Sequence, residues 1–181
     1  FAWPGRSFPP RKGTPDMSLT DSIAIGIGVD SHRFKAGVPL ILGGVEVPFD
    51  RGMDAHSDGD VLLHAVLDAV LSAADQPDLG QLFPDTDEAN RGRSSIDMAT
   101  EVARRISVSG ARVLSIDSVV ICEMPRIAPI REQLRESMAA AFDIPVNRVN
   151  VKGKTAEGMG HLGAGEGIEA RAIALVERAG V

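Results

Sequence analysis

Two short stretches hold the atoms best suited to chemistry. In Gly28–Phe34, GVDSHRF, Asp30 and His32 stand two residues apart, and on a strand that spacing sends both side chains to one face. In Ala55–Ala74, AHSDGDVLLHAVLDAVLSAA, the polar group His56-Ser57-Asp58 runs into an apolar helical segment that carries His64. Two imidazoles and a carboxylate suit zinc, and three protein ligands leave a fourth position open for substrate. A strand carboxylate can equally cap a turn, and a helix histidine can be a hydrogen-bonded core residue, so spacing alone leaves both readings standing. The entrance at His56 to Asp58 offers free backbone N–H groups to an anion, or it is a plain cap.

A second candidate region is the glycine-rich turn Gly153–Gly167. Gly153-Lys154-Thr155 looks like the end of a phosphate-binding loop, but Arg148 stands where that motif needs glycine. Gly158-Met159-Gly160-His161-Leu162-Gly163 satisfies a dinucleotide fingerprint literally, yet no helix is expected after it and the chain ends before an acidic ribose partner. What remains is a turn whose backbone N–H groups, Lys154, Thr155 and Glu157 could hold phosphates and a harder cation, or a loop joining two strands. Cys122, the one cysteine, reads as a small core residue, since no base adjoins it. Asp85-Thr86-Asp87 could bind hydroxyls or face water.

The elements that must position these groups follow from periodicity. Ser22–Phe34 reads as a strand with Ile23, Ile25, Ile27 and Val29 on one face and Ala24, Gly26, Gly28, Asp30 and His32 on the other. Leu40–Phe49 reads as a hairpin turned at Gly43-Gly44. Ser57 or Asp58 is the expected cap of the helix that follows, with Asp60 in its first turn and Asp60, His64 and Asp68 in an i, i+4, i+8 row. Val61, Leu62, Leu63, Val66, Leu67, Val70 and Leu71 cover more than one stripe, which predicts burial on most sides. A turn-rich loop spans Asp75–Gly92. A second helix capped by Ser94 with Asp97 in a capping-box position, a strand over Val113–Cys122, a third helix over Arg126–Phe142 with Pro129 in its first turn, a strand over Arg148–Lys152 and a last strand over Ile168–Glu177 complete the reading. The fold class is α+β, a mixed sheet with helices packed on one face.

Composition excludes several classes. At 181 residues and 44% hydrophobic content, the chain suits one domain with a real core. Its 25 acidic against 19 basic residues, net −6, give no broad field for nucleic acid or acidic membranes, so an anionic substrate must be held locally. No apolar run is long enough to span a membrane. A single cysteine rules out an intrachain disulfide and a Cys-rich zinc site. Residues 1–21 form an N-terminal tail without periodicity, disordered or appended to the natural chain, and Met17 offers a natural start; residues 22–181 form the single domain.

Taken together, Gly28-Val29-Asp30-Ser31-His32-Arg33-Phe34, Leu42-Gly43-Gly44-Val45, Ala55-His56-Ser57-Asp58-Gly59-Asp60-Val61 with His64, Asp78-Leu79-Gly80, Phe83-Pro84-Asp85-Thr86-Asp87, Val151-Lys152, Lys154-Thr155 with Glu157, and Gly165-Glu166-Gly167-Ile168 resemble the 2-C-methyl-D-erythritol 2,4-cyclodiphosphate synthase family, in order and spacing. The resemblance covers nearly everything after Ala24. It implies a metal-dependent phosphorus-oxygen lyase of the non-mevalonate isoprenoid pathway, cytoplasmic in bacteria or plastidic in eukaryotes. It also implies a homotrimer with active sites between subunits, and no nucleic-acid or membrane partner.

By the same resemblance, Asp30, His32 and His64 bind Zn2+, and Glu157 binds Mg2+ or Mn2+. His56, Ser57, Lys154 and Thr155 contact substrate phosphates. Asp78, Gly80, Phe83, Asp85 and Asp87 line the erythritol pocket, with His161 also at the substrate site. Cys122, Glu123, Met124, Pro125, Arg126, Ile127 and Ala128 hold cytosine. The chain departs from the family at His161-Leu162-Gly163-Ala164, where Phe-Thr-Gly-Arg is common. That Arg belongs to an isoprenoid-diphosphate site on the trimer axis, which the resemblance therefore does not carry over.

Overall fold

The computed structural model describes residues 22–179; the expected tail at 1–21 lies outside them. Among the described residues are seven strands and five α-helices. They are β1 (Ile23–Ala36), β2 (Leu40–Leu42), β3 (Val45–Val47), β4 (Arg51–Met53), α1 (Val61–Ala73), α2 (Leu79–Leu82), α3 (Ser95–Val108), β5 (Arg112–Ile121), α4 (Arg131–Ala141), β6 (Val149–Lys154), α5 (Gly160–Gly163) and β7 (Gly167–Glu177). Five strands form a mixed sheet in the order β4-β1-β7-β5-β6, and β2-β3 is a separate hairpin. Only β5 and β6 run parallel; β1 pairs antiparallel with both β4 and β7. The α+β class follows, with helices against one face.

That face is chosen by size rather than by hydrophobicity. Along β1 the small residues Gly26 and Gly28 point inward, while Ile25, Ile27 and Val29 stay 72%, 65% and 52% exposed. A Cβ at Gly26 would lie 2.0 Å from the Ala69 carbonyl oxygen, and one at Gly28 would lie 2.0 Å from that of Ala65. So α1 rests on the bare backbone of β1, its own small residues Ala65, Ala69 and Ala73 turned to the contact. Its large residues, Leu62, Leu63, Leu67 and Leu71, are fully buried among the remaining helices and strands, in keeping with a helix apolar nearly all round.

Several local expectations are corrected. The cap of α1 is Asp60, not Ser57 or Asp58. Its Oδ1 accepts from Leu63 N–H at 2.9 Å, and its two oxygens also accept Gly43 and Gly44 N–H at 2.8 and 2.6 Å. The hairpin turn, where both glycines have positive φ, thus makes Asp60 the cap in place of the two expected candidates. Ser94 occupies the cap position of α3 but makes no side-chain cap bond. Asp58 serves instead from 37 residues away, its Oδ2 accepting Ser95 N–H at 2.7 Å.

The third helix does not start at Arg126. Ala128–Ile130 is a 3₁₀ turn, and the α-helix begins at Arg131, since proline removes a donor and disfavours helical backbone just before it. The loop Asp75–Gly92 contains α2, capped by Asp78, and a 3₁₀ turn at Glu88–Asn90 capped by Asp87. The glycine-rich turn, expected to be helix-free, contains the single turn α5. Among the described residues, no helix is long and apolar enough to cross a membrane.

Candidate active site

The close seat of α1 on β1 brings three side chains to one point. Asp30 and His32 leave the inward face of β1, and His64 leaves the first turn of α1. Asp30 Oδ2 lies 3.0 Å from His32 Nε2 and 3.0 Å from His64 Nδ1, and those two nitrogens are 3.3 Å apart. In a tetrahedral zinc site with bonds of about 2.0–2.1 Å, ligand atoms are about 3.3–3.4 Å from one another. The triad therefore already has nearly the edge lengths of one face of such a tetrahedron, and its N, N, O donor set fits the ion.

The electrostatics suit a cation. Burial works against the charge on Asp30, but hydrogen bonds from His32 and His64, with their charge, outweigh it and hold the carboxyl well below the usual range. For His64 burial favours the neutral ring, yet the hydrogen bond and charge of Asp30, helped by Asp60 and Asp58, raise its pKa above 6.5. Four residues on, burial raises Asp68, against the N–H of Leu79 that its Oδ1 accepts at 2.8 Å.

The triad opens into a cavity of about 290 Å³ lined by Ala55, His56, Ser57, Asp68, Leu79, Gly80, Phe83, Asp85, Asn90 and Met98 as well as the triad. His56 Nε2 is buried there without a hydrogen-bond partner. Of the residues expected at an erythritol pocket, Gly80, Phe83 and Asp85 line this cavity. Asp78 and Asp87 do not: their carboxylates are engaged as caps, accepting Gln81 N–H at 2.8 Å and Ala89 N–H at 3.0 Å. Sequence reasoning missed Asn90 and Met98, which carry no local signal. Asp68 was visible in the row with His64 but had no assigned role.

A separate cavity of about 420 Å³ lies between the end of β5 and β6, lined by Cys122, Pro125, Arg126, Ile127, Ala128, Arg131, Val151, Lys152, Gly153, Lys154 and Thr155. Cys122 is an inert wall residue: burial pushes its thiol up to about 11, and it donates to the Pro125 carbonyl at 3.4 Å. The Glu123 carboxylate turns away and accepts the N–H groups of Ala156 and Gly158 at 3.0 and 3.3 Å, bracing the loop in which Thr155 Oγ1 donates to Glu157 Oε1. Met124 is exposed. His161 falls in neither cavity but lines a third, of about 280 Å³, with Ser31, His32, Arg33 and Glu166.

The metal-type cavity and the β5-β6 cavity share no residue. Strand register places both at one end of the sheet, since Asp30 pairs with Ala170 and Ala170 with Val120. Yet β1 and β6 are three strands apart, about 14 Å at the usual spacing.

The profile of the YgbB family matches residues 23–177, spanning both cavities and every strand of the main sheet. The chain belongs to the YgbB family. Among YgbB relatives, the 2-C-methyl-D-erythritol 2,4-cyclodiphosphate synthase of Rubrobacter xylanophilus is 51% identical over 158 residues, 86% of this chain and 95% of that one. That of Laribacter hongkongensis is 47% identical over 156 residues, 86% and 96% of the two chains. A solved 2C-methyl-D-erythritol-2,4-cyclodiphosphate synthase with CDP bound superposes with a TM-score of 0.77 at 39% identity, covering 84% of this chain and 99% of that one. A Plasmodium falciparum CDP complex gives a TM-score of 0.77 at 30% identity, covering 87% and 97%.

Proposed function

We propose that this chain converts 4-diphosphocytidyl-2-C-methyl-D-erythritol 2-phosphate into 2-C-methyl-D-erythritol 2,4-cyclodiphosphate and CMP, as the synthases it resembles are named for. The observation that carries the reading is the triad Asp30, His32 and His64, poised at metal-ligand spacing in a cavity that also holds His56, Ser57 and Asp85. An oxygen of the 2-phosphate attacks the β-phosphorus, the bond from that phosphorus to the oxygen bridging to the α-phosphorus breaks, and CMP leaves with the bridging oxygen. The nucleophile is already an anion, so the chemistry needs alignment and charge neutralisation rather than a strong base. Zinc on the triad and magnesium on Glu157, when bound, supply the positive charge that a chain of net −6 lacks.

This chain's own residues do the rest. The unpartnered His56 Nε2 and the Ser57 hydroxyl meet the substrate phosphates, while Gly80, Phe83 and Asp85 hold the erythritol moiety. Backbone groups of Cys122–Ala128 take the cytosine, and Lys154 and Thr155 take the nucleotide phosphates.

A homotrimer completes the site by setting the metal cavity of one subunit against the nucleotide cavity of the next. The exposed stripe of Ile25, Ile27, Val29 and Ile173 on the outer sheet face supports it, since a contiguous apolar patch of this kind marks an interface. The test is a CMP-release assay with product analysis. Metal-replete, folded protein should form CMP and the cyclic product in equal amounts; no CMP refutes the reading, and a linear product makes the chain a hydrolase.

A further inference from the structure

The groups behind His64 impose a direction on the hydrogen bonds that reach it. Ser95, at the N-terminus of α3, is wholly buried. Its backbone N–H and its hydroxyl both donate to Asp58, to Oδ2 and Oδ1 respectively, and Asp58 Oδ1 also accepts Asp60 N–H at 3.2 Å. A carboxylate in this position has no proton to give. The single hydroxyl proton of Ser95 is thereby committed to Asp58, and Ser95 Oγ is left to its other neighbour, His64 Nε2 at 3.1 Å, only as an acceptor. Ser57 Oγ lies farther from the same nitrogen, at 3.3 Å.

In the metal-free site both ring nitrogens of His64 face acceptors, Nε2 facing Ser95 Oγ and Nδ1 facing Asp30 Oδ2 at 3.0 Å. A metal ion takes the place of the proton between Nδ1 and Asp30, while Nε2, still facing an acceptor, keeps its own. Nδ1 is also the atom turned to His32.

We infer that Asp58 and Ser95 form a carboxylate–hydroxyl relay that holds His64 in the Nε2–H tautomer, with Nδ1 presented to a metal. Ser95 is a positioning residue: it touches neither substrate nor metal and acts through the imidazole. The inference rests on the reading of Asp30, His32 and His64 as a metal site. It also gives a chemical reason for Asp58 to reach across 37 residues, because one carboxylate caps α3 through one oxygen and orders the relay through the other. Outer hydrogen bonds of this type fix ring orientation and ligand basicity, and losing one weakens metal affinity about 10–100-fold.

The test measures affinity of the full chain for zinc alone, by competition with a chromophoric chelator, beside thermal melts and a 1H–15N spectrum of the imidazole nitrogens in the zinc-loaded protein. The wild type should show the His64 Nε2–H as a slowly exchanging proton. Ser95→Ala should lose that signal and bind zinc about 10–100-fold more weakly.

Asp58→Asn keeps the shape and can keep the cap, but its amide can donate to Ser95 Oγ and free the hydroxyl proton for Nε2. It should weaken zinc to a similar extent, and adding it to Ser95→Ala should cost less than about twofold more, because both act through one bond. If Ser95→Ala does not fold, Asp58→Asn and the wild-type spectrum decide. Folded single variants with zinc affinity within about twofold of wild type, or a rapidly exchanging Nε2–H in the wild type, overturn the relay and leave the metal site standing. A wild type that takes up no zinc overturns both.

Discussion

Gly28→Ala should remove the metal while leaving every metal ligand in place. The new Cβ would sit 2.0 Å from the Ala65 carbonyl oxygen and 2.7 Å from Ala69 N. Both obstacles are helix backbone, so no rotamer relieves them, and α1 must back away from β1 by about 1.4 Å, from 2.0 to 3.4 Å, before the contact becomes ordinary. His64 is the residue beside Ala65 and travels with it. Metal sites tolerate errors of about 0.2 Å in ligand distance, so a displacement several times larger at one of three ligands should abolish retention.

The cost to the fold is smaller. Overpacking of this kind is worth about 1–3 kcal/mol, a fall in Tm of about 2–12 °C for a chain of this size. Gly26→Ala is the control: its Cβ meets the Ala69 carbonyl oxygen at the same 2.0 Å, but five residues from His64 rather than one. Metal content after dialysis, CMP release and thermal melts should show similar destabilisation in both variants, with much greater zinc loss in Gly28→Ala. A folded Gly28→Ala protein with full zinc and full turnover would refute the argument that helix seating sets the site.

Zinc retention should depend on pH in a defined direction. Proton and metal compete for His64 Nδ1, and Asp30 raises the pKa of His64 above 6.5; retention should therefore fall as pH drops through that raised value, beginning above 6.5, as followed by metal analysis after equilibration. In metal-free protein the signs separate: the stabilisation from His64 is present below its unfolded pKa and lost as pH rises through the folded one. That from Asp30 is present above its unfolded pKa and lost only well into the acid range. Thermal melts of the metal-free form should thus peak between the unfolded values of the two groups, about 3.9 and 6.5. Asp60→Ala should cost about 2–4 kcal/mol in denaturant melts, since it removes a cap and strands two further N–H donors at the hairpin turn. Ile27→Asp should prevent the proposed homotrimer from forming, read by light scattering against wild type, and abolish CMP release while the subunit keeps its zinc; a wild type that is monomeric would refute the assembly.

Much of the site was legible because period two is a hard constraint. It put Asp30 and His32 on one face with Gly26 and Gly28, and all four do share it. What period two does not say is which face is inside. The isoleucines look like core residues, yet they face outward because the inner face has to be thin enough for a helix backbone. Capping failed for a related reason. Ser57, Asp58 and Asp60 are all competent caps by local rules, and the choice was made by a hairpin 16 residues upstream and a helix 37 residues downstream. Ser95 was invisible, since nothing in a serine beside another serine says that it backs a histidine 31 residues earlier. Asp78 and Asp87 show a role that local sequence did not announce, since each caps a short helical turn of its own loop.

The position of β7 governs when any of this can exist. It is the last strand in sequence, yet it lies at the centre of the sheet, joining β1 through Ile23↔Glu177 to Arg33↔Gly167 and β5 through Arg112↔Glu177 to Ile121↔Glu169. Without it, β1 with its helix and β5 with β6 are two fragments with no shared ladder. All three triad residues precede β7 by more than 100 residues, and the strand that anchors Asp30 and His32 has no central partner until β7 emerges. Such long-range closure is slow compared with local folding. Metal capture should therefore follow the docking of β7, and a chain that stops before β7 holds the ligands without the site.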